Sequence, residues 1–159
     1  MPNRYNTDES ELLLVGCSQG GLVAALTAAQ MPETVNGLVL LYPALCIPDA
    51  ARAGEMLWLK FDPSHIPEKM HAGPMPLGRR YAADVMNMDA FRQIAGYSGK
   101  VLLLHGDSDT IVDISYAEKA ESVYRVNSSL SMGSSVPSKS NSTVVSFILI
   151  LLSFCGQMP

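Results

Sequence analysis

Ser18 stands in the sequence Gly16-Cys17-Ser18-Gln19-Gly20, which is a G-x-S-x-G pattern. This pattern is typical of a sharp turn that presents a nucleophilic hydroxyl at the end of a strand, and a Cβ at Gly16 or Gly20 is expected to crowd such a turn. A serine held there could attack an acyl carbon and form a covalent intermediate. The alternative is an ordinary turn serine, because short patterns of this kind also occur by chance.

The residues on either side of the pattern favour the first interpretation. The apolar residues Leu12 to Val15 precede it and are typical of a central strand in a parallel sheet. Residues 22–30 follow it and are rich in small, helix-favouring side chains, so Ser18 is predicted at the N-terminus of a helix. The backbone N–H groups and the helix dipole there would stabilise a developing negative charge.

A second group of polar residues follows the apolar run at residues 101–104, and consists of His105, Asp107 and Asp109. The order strand, helix, strand around Ser18 predicts parallel neighbours with right-handed crossovers. Polar residues at the carboxyl ends of such strands meet at one edge of the sheet. We therefore expect Ser18 and Asp109 to share that edge, with room for an imidazole between them.

The segment between these two motifs is predicted as a long, irregular insertion at about residues 44–80. It contains several prolines and many apolar side chains, as expected for a lid over an apolar substrate. Trp58 and Phe61 are the candidates for substrate contact, although such side chains could equally pack the insertion onto the body. Residues 81–95 are predicted as one helix, with Asp89 as a candidate N-cap.

The composition changes at about residue 127, which is the predicted end of the folded domain, residues 1–126. Residues 127–159 contain ten serines and a single charged side chain, and are predicted as a Ser-rich segment followed by an apolar tail. The apolar run at residues 144–155 is shorter than the roughly 20 residues that span a bilayer, and it has no cationic flank. A membrane is therefore not expected as a partner.

Composition argues against several other classes of function. A chain of 159 residues with 48% hydrophobic residues is long enough for one folded domain. The net charge of −4 argues against binding of nucleic acid. No metal and no cofactor are predicted, because the three cysteines lack metal-ligand spacing and no phosphate-binding glycine loop occurs. The polar first eleven residues and the odd cysteine count predict a cytoplasmic location.

Together the two motifs resemble the α/β-hydrolase superfamily, and most of all its small bacterial cinnamoyl and feruloyl esterases. The resemblance rests on Gly16-Cys17-Ser18-Gln19-Gly20-Gly21 and on Leu-Leu-Leu-His-Gly-Asp-Ser-Asp-Thr-Ile-Val at residues 102–112, and it covers about residues 9–124. It implies a partial α/β-hydrolase fold, in which a mostly parallel sheet has flanking helices and a lid-like insertion.

The resemblance also implies roles for individual residues. Ser18 would be the nucleophile, Asp109 the acid that orients a histidine, and the backbone N–H of Gln19 a donor of the oxyanion hole. Asp107 would cap the acid turn, and His105 would have a structural role. The implied activity is hydrolysis of small-molecule carboxylic esters through an acyl-enzyme, without a cofactor.

Two parts of the family pattern have no counterpart in this sequence. The family's first strands and oxyanion loop should precede the serine turn, yet only eleven residues stand before Leu12. No histidine follows His105, and His65 and His71 lie in the insertion, where solvated loop histidines are expected. We therefore expect a chain that is incomplete at both ends and hydrolyses little by itself.

Three alternatives to an ester hydrolase remain at this stage. The chain could be a serine peptidase resembling acylaminoacyl-peptidases, which share the same serine turn. It could be a non-catalytic remnant that binds a ligand under the lid. It could also be a truncated reading frame without a function. The sequence leaves the acyl and alcohol groups and the oligomeric state open.

Overall fold

A computed structural model describes residues 12–71, 76–124 and 128–133 of the chain. In chain order the elements are β1 (Leu12–Cys17), α1 (Gln19–Gln30), β2 (Val35–Leu41), α2 (Ile47–Arg52), β3 (Glu55–Met56), β4 (Leu59–Lys60), β5 (Lys69–Met70), β6 (Leu77–Gly78), α3 (Arg79–Met86), α4 (Ala90–Ile94), β7 (Lys100–Gly106), α5 (Ser115–Tyr124) and β8 (Ser128–Gly133).

Four strands form one sheet in the order β1-β2-β7-β8, and each neighbouring pair is parallel. The predicted α/β architecture, with a parallel sheet and flanking helices, is therefore confirmed. All four strands point the same way, so their carboxyl ends lie at one edge of the sheet. β8 lies at the start of the predicted Ser-rich tail and continues the sheet there, while residues 134–159 lie outside the described residues.

β1 lies at an edge of the described sheet, although the sequence predicted a central strand. Of its six residues only Gly16 is buried, whereas five of the seven residues of β2 are buried. Leu12 and Val15 are 37% and 55% exposed. The apolar composition of β1 indicated burial on both faces, whereas these two side chains are exposed, and within the described residues β1 pairs only with β2.

The main hydrophobic core lies between the sheet and helices α1, α4 and α5. Leu38, Leu40 and Leu103 are fully buried, and burial of each such side chain contributes about 1.5–3 kcal/mol. Ala25 and Ala28 are also fully buried. Because their side chains are small, α1 can lie close to the strands. The core thus fixes α1, and with it the turn that precedes the helix.

The predicted irregular insertion contains regular elements. α2 begins it, and two short antiparallel pairs follow, β3 with β4 and β5 with β6. A second, smaller core holds these elements to α3 through Ala51, Met56, Met70, Ala82 and Val85. The prediction of an irregular segment is thus wrong for α2 and for these four short strands, and strands of two residues carry no readable periodicity.

The helix predicted at residues 81–95 is two helices, α3 and α4, separated at Asn87 to Asp89. The Asp89 side chain accepts a hydrogen bond from the Arg92 N–H at 3.1 Å, so its prediction as an N-cap is confirmed. Among the residues that the structure describes, no helix has the length and apolar character to cross a bilayer. The apolar run at residues 144–155 lies outside the described residues.

Candidate active site

Ser18 joins β1 to α1 with φ 50° and ψ −125°, a backbone conformation that residues with a side chain rarely adopt. Its N–H donates to the Leu41 carbonyl at 3.0 Å, and its carbonyl accepts from the Ala44 N–H at 2.9 Å. These bonds hold a turn whose backbone strain is on the order of 1–3 kcal/mol. Ser18 is exposed and its side chain makes no capping bond, so its hydroxyl is accessible at the N-terminus of α1.

Two glycines allow this turn, but one of them differs from the prediction. A Cβ at Gly16 would clash with the Gly20 carbonyl and lie 2.9 Å from the Ala24 Cβ. A Cβ at Gly21 would lie 2.9 Å from the Cα and Cβ of Pro43. At Gly20 a Cβ meets nothing within 4 Å. The expectation of crowding is therefore right for Gly16 and wrong for Gly20, and the second tight position is Gly21.

Gln19 is the first residue of α1, where a backbone N–H has no acceptor within the helix. Its side-chain Nε2 donates to the Tyr81 hydroxyl at 2.9 Å. Burial raises the pKa of the Tyr81 phenol above its ordinary value, which already lies well above neutral pH. This hydrogen bond connects the serine turn to α3, the helix that follows the insertion.

Asp109 lies on the turn after β7, and its carboxylate is oriented by the backbone. Its Oδ1 accepts hydrogen bonds from the N–H groups of Ile111 and Val112, at 2.8 and 3.0 Å. Its Oδ2 lies 3.7 Å from Nε2 of His105. The prediction that Asp107 caps this turn is wrong, because Asp109 accepts these two amides, while Asp107 accepts from the Ser108 hydroxyl at 3.0 Å.

His105 is buried below this turn and is 3% exposed. Its Nε2 lies 2.9 Å from the Val112 carbonyl, which can only accept, so Nε2 carries the proton. Its Nδ1 is buried and has no hydrogen-bond partner among the described residues. His105 therefore ties β7 to the end of the turn, and its protonated nitrogen is not available as a base.

Ser18 and the Asp109 turn lie at the same edge of the sheet, as expected. The strand register aligns Cys17 with Leu41, and Leu41 with Leu104, so β1, β2 and β7 end at the same level. β2 lies between β1 and β7, and two strand spacings correspond to about 10 Å. Ser18 thus follows the carboxyl end of β1 and Asp109 that of β7, with β2 between the two strands.

Tyr42 follows β2 at this edge and is a residue that the sequence interpretation missed. It has φ 37°, and its N–H donates to the Leu104 carbonyl at 2.7 Å. Burial, and after it the nearby Cys17 thiol and Asp109 carboxylate, raise the pKa of Tyr42. Tyr42 stands at the end of an apolar run, directly before Pro43. This position was a signal that could have identified it as a residue of the sheet edge that also carries Ser18.

The candidates from the insertion are not brought to Ser18 by any described contact. Trp58 is 75% exposed, and Phe61 packs against the smaller core of the insertion. His65 is solvated, as expected, and its Nδ1 lies 3.0 Å from Asp62 Oδ2. His71 is also exposed.

A cavity of about 490 Å³ lies within the insertion, and neither Ser18 nor Asp109 lines it. Its lining residues are Pro63, Ser64, His65, Ile66, Pro67 and Arg79. In the described ranges, no group of three or more His, Cys, Asp or Glu side chains could hold a metal ion.

No protein-family model and no curated protein sequence matches the chain. Solved structures do match it. Est1E from Butyrivibrio proteoclasticus superposes with a TM-score of 0.80 at 28% sequence identity, over 92% of this chain and 62% of that one. The same protein with ferulic acid bound gives 0.78 at 29% identity, over 90% of this chain and 60% of that one.

The chain has an α/β-hydrolase fold. Mouse alpha/beta hydrolase domain-containing protein 10 shares the fold at 15% identity, with a TM-score of 0.69 over 96% of this chain and 65% of that one. The predicted resemblance to the superfamily, and within it to feruloyl esterases, is thus confirmed. The chain spans less than two thirds of the length of Est1E. The solved structures that share this fold also include an esterase domain from a Rhodothermus marinus protein and metagenome-derived lipolytic enzymes.

Proposed function

We propose that this chain acts on carboxylic esters of the feruloyl or cinnamoyl type, with Ser18 as the acyl-accepting nucleophile. The observation that carries the proposal is the strained turn at Ser18, which shares the carboxyl edge of the sheet with the Asp109 turn. The likeness to Est1E supports the substrate class, because that protein has been solved with ferulic acid bound. No cofactor enters the proposed reaction.

The chemistry assigns one task to each residue. The Ser18 hydroxyl attacks the acyl carbon, and the carbonyl oxygen of the ester becomes an oxyanion that the Gln19 N–H and the N-terminus of α1 stabilise. Asp109 Oδ1 accepts hydrogen bonds from two backbone N–H groups, which leaves Oδ2 to hold and orient an imidazole. An imidazole in that position would take the serine proton and return it to the leaving alcohol.

The three histidines of the chain do not fill that place. His105 donates a hydrogen bond from Nε2 to the Val112 carbonyl, and His65 and His71 are exposed in the insertion. Loss of one member of such a triad can reduce turnover about 10⁶-fold. We therefore propose that this chain can be acylated slowly but turns over poorly, because no base activates the water that completes the reaction.

The experiment is acylation by an activated feruloyl ester, followed by mass spectrometry of the intact chain. We expect one feruloyl group per chain, on Ser18, and none on a Ser18→Ala variant. An aminoacyl-peptide substrate should leave the chain unmodified. Acylation by the peptide alone would favour the peptidase alternative, and adducts that survive Ser18→Ala would contradict the assigned nucleophile.

We also propose a cytoplasmic location. Cys17 and Cys46 are free thiols, which supports a reducing compartment.

A further inference from the structure

Tyr42 is a residue of the sheet edge to which the proposed reaction assigns no task. It directly follows β2, the strand between β1, which ends before Ser18, and β7, which leads to Asp109. The register pairs Cys17 with Leu41. The next residues, Ser18 and Tyr42, therefore lie side by side at one strand spacing of about 5 Å. The Tyr42 side chain thus starts between the nucleophile and the acid.

The backbone at Tyr42 is held in an uncommon conformation by contacts on both sides. Its φ of 37° is positive, as that of Ser18 is, and a residue with a side chain rarely adopts such a conformation. The Tyr42 N–H donates to the Leu104 carbonyl at 2.7 Å, and the following Pro43 is fully buried. The Ala44 N–H then donates to the Ser18 carbonyl at 2.9 Å. Backbone strain of this kind persists where the surrounding structure enforces it, and it is concentrated at sites that bind or react with ligands.

The far end of the Tyr42 ring is fixed as well. Its hydroxyl contacts the thiol of Cys17, the residue before Ser18. Burial, and after it Cys17 and Asp109, raise the pKa of Tyr42, so the phenolate that could act as a base is even rarer than in free tyrosine. The ring itself is what Tyr42 can offer a ligand, and 43% of the residue is exposed beside Ser18.

We propose that the Tyr42 ring stacks with the aromatic ring of a cinnamoyl-type acyl group and thereby favours such esters over short aliphatic ones. This assignment rests on the proposed function, in which the acyl carbon bonds to Ser18 Oγ. A short propenoyl chain joins that carbon to the aromatic ring, so the ring comes within reach of a side chain one strand spacing away. Aromatic pairs are favourable at centroid distances of about 4.5–7 Å, and a ring already fixed at both ends loses little freedom on binding. An acetyl group has no ring, so its transfer is independent of Tyr42.

The test is acylation of Ser18 by p-nitrophenyl cinnamate and by p-nitrophenyl acetate, followed by mass spectrometry of the intact chain. In both reactions the acyl group passes to Ser18 Oγ and p-nitrophenol leaves, so the leaving group cancels in the ratio of the two rate constants. We expect Tyr42→Ala to lower the cinnamate rate constant about tenfold, which is the scale of one aromatic pair together with its buried surface, and to leave the acetate rate constant unchanged. Tyr42→Phe keeps the ring and should keep the ratio. Met31→Ala is the matched control, because Met31 at the far end of α1 is 46% exposed, and it should also keep the ratio.

The ratio separates stacking from a structural role, because a distorted serine turn slows the reaction with both esters. An unchanged ratio in Tyr42→Ala, an equal loss with both esters, or a loss in Tyr42→Phe as large as in Tyr42→Ala would overturn the stacking role while Ser18 remains the nucleophile. No acylation of wild-type Ser18 by either ester would instead contradict the proposed function, and the role of Tyr42 with it. If Tyr42→Ala does not fold, Tyr42→Leu repeats the comparison with an apolar side chain that has no ring, and the same results would overturn the proposal.

Discussion

His105 and Asp109 lie 3.7 Å apart, between Nε2 and Oδ2, yet the closer partner of His105 is the Val112 carbonyl at 2.9 Å. In the same turn, the N–H groups of Ile111 and Val112 donate hydrogen bonds to Asp109 Oδ1. The buried histidine and the acid therefore both hold the turn through its backbone. Oδ2 remains the oxygen through which Asp109 can act on another group.

Removal of the Asp109 carboxylate should destabilise the fold, because the amides of Ile111 and Val112 lose their acceptor. We expect Asp109→Ala to lower the free energy of unfolding by about 1–3 kcal/mol, measured by urea denaturation. Asp107→Ala is the control, since Asp107 is exposed and accepts only a neighbouring hydroxyl, and it should change stability by less than about 0.5 kcal/mol. Equal losses in the two variants would contradict this description of the turn.

The two glycines of the pattern around Ser18 should respond differently to alanine. Gly16→Ala places a Cβ against the Gly20 carbonyl and 2.9 Å from the Ala24 Cβ, and should cost about 1–3 kcal/mol of stability. Gly20→Ala meets open space within α1 and should be neutral or stabilise by up to about 1 kcal/mol. Thermal melting of the two variants checks this. A greater loss of stability in Gly20→Ala than in Gly16→Ala would contradict the described contacts of the two glycines.

Asp49 should make stability depend on acidic pH. Burial by itself would raise the pKa of Asp49, but hydrogen bonds from Arg52 and Tyr116 lower it below its ordinary value. The stabilisation is therefore present above the unfolded pKa of about 3.9 and is lost as the pH falls through the lower, folded value. Tyr116→Phe removes a 3.0 Å bond and should make the loss of stability below about pH 4 shallower.

That pH dependence is measured as urea midpoints across the acid range. Tyr97→Phe serves as a control, because the Tyr97 hydroxyl donates to the Val35 carbonyl and contacts no carboxylate in the described hydrogen bonds. It should lower stability equally at all acid pH values. An unchanged slope in Tyr116→Phe would contradict the role of Tyr116 in the Asp49 pKa.

The two apolar runs and the polar residues after them were enough to predict that Ser18 and Asp109 share one edge of the sheet. Their parallel strands follow from local sequence and chain order. The crowding at Gly21 was not predictable, because it depends on Pro43, which reaches the turn only through the pairing of β1 with β2. The exposure of Val15 was missed for a related reason, since the elements that cover each face of a strand are a property of the whole fold.

Turnover of esters should be close to background, because no histidine of the chain contacts Ser18 among the described hydrogen bonds. We expect release of p-nitrophenol from a short-chain ester at nearly the same slow rate in the wild type and in Ser18→Ala after any first acylation. His65→Ala and His71→Ala should leave that rate unchanged. Robust turnover that disappears in either histidine variant would identify a base in the insertion and contradict the proposal.

Covalent labelling of Ser18 tests the central claim most directly. A fluorophosphonate probe reacts with an activated serine, and its site is read by peptide mass spectrometry. We predict slow labelling confined to Ser18, absent in Ser18→Ala and retained in Ser108→Ala, since Ser108 is an exposed turn serine near the same edge. Labelling of Ser108 at the rate of Ser18, or no labelling of Ser18 at all, would contradict Ser18 as the nucleophile.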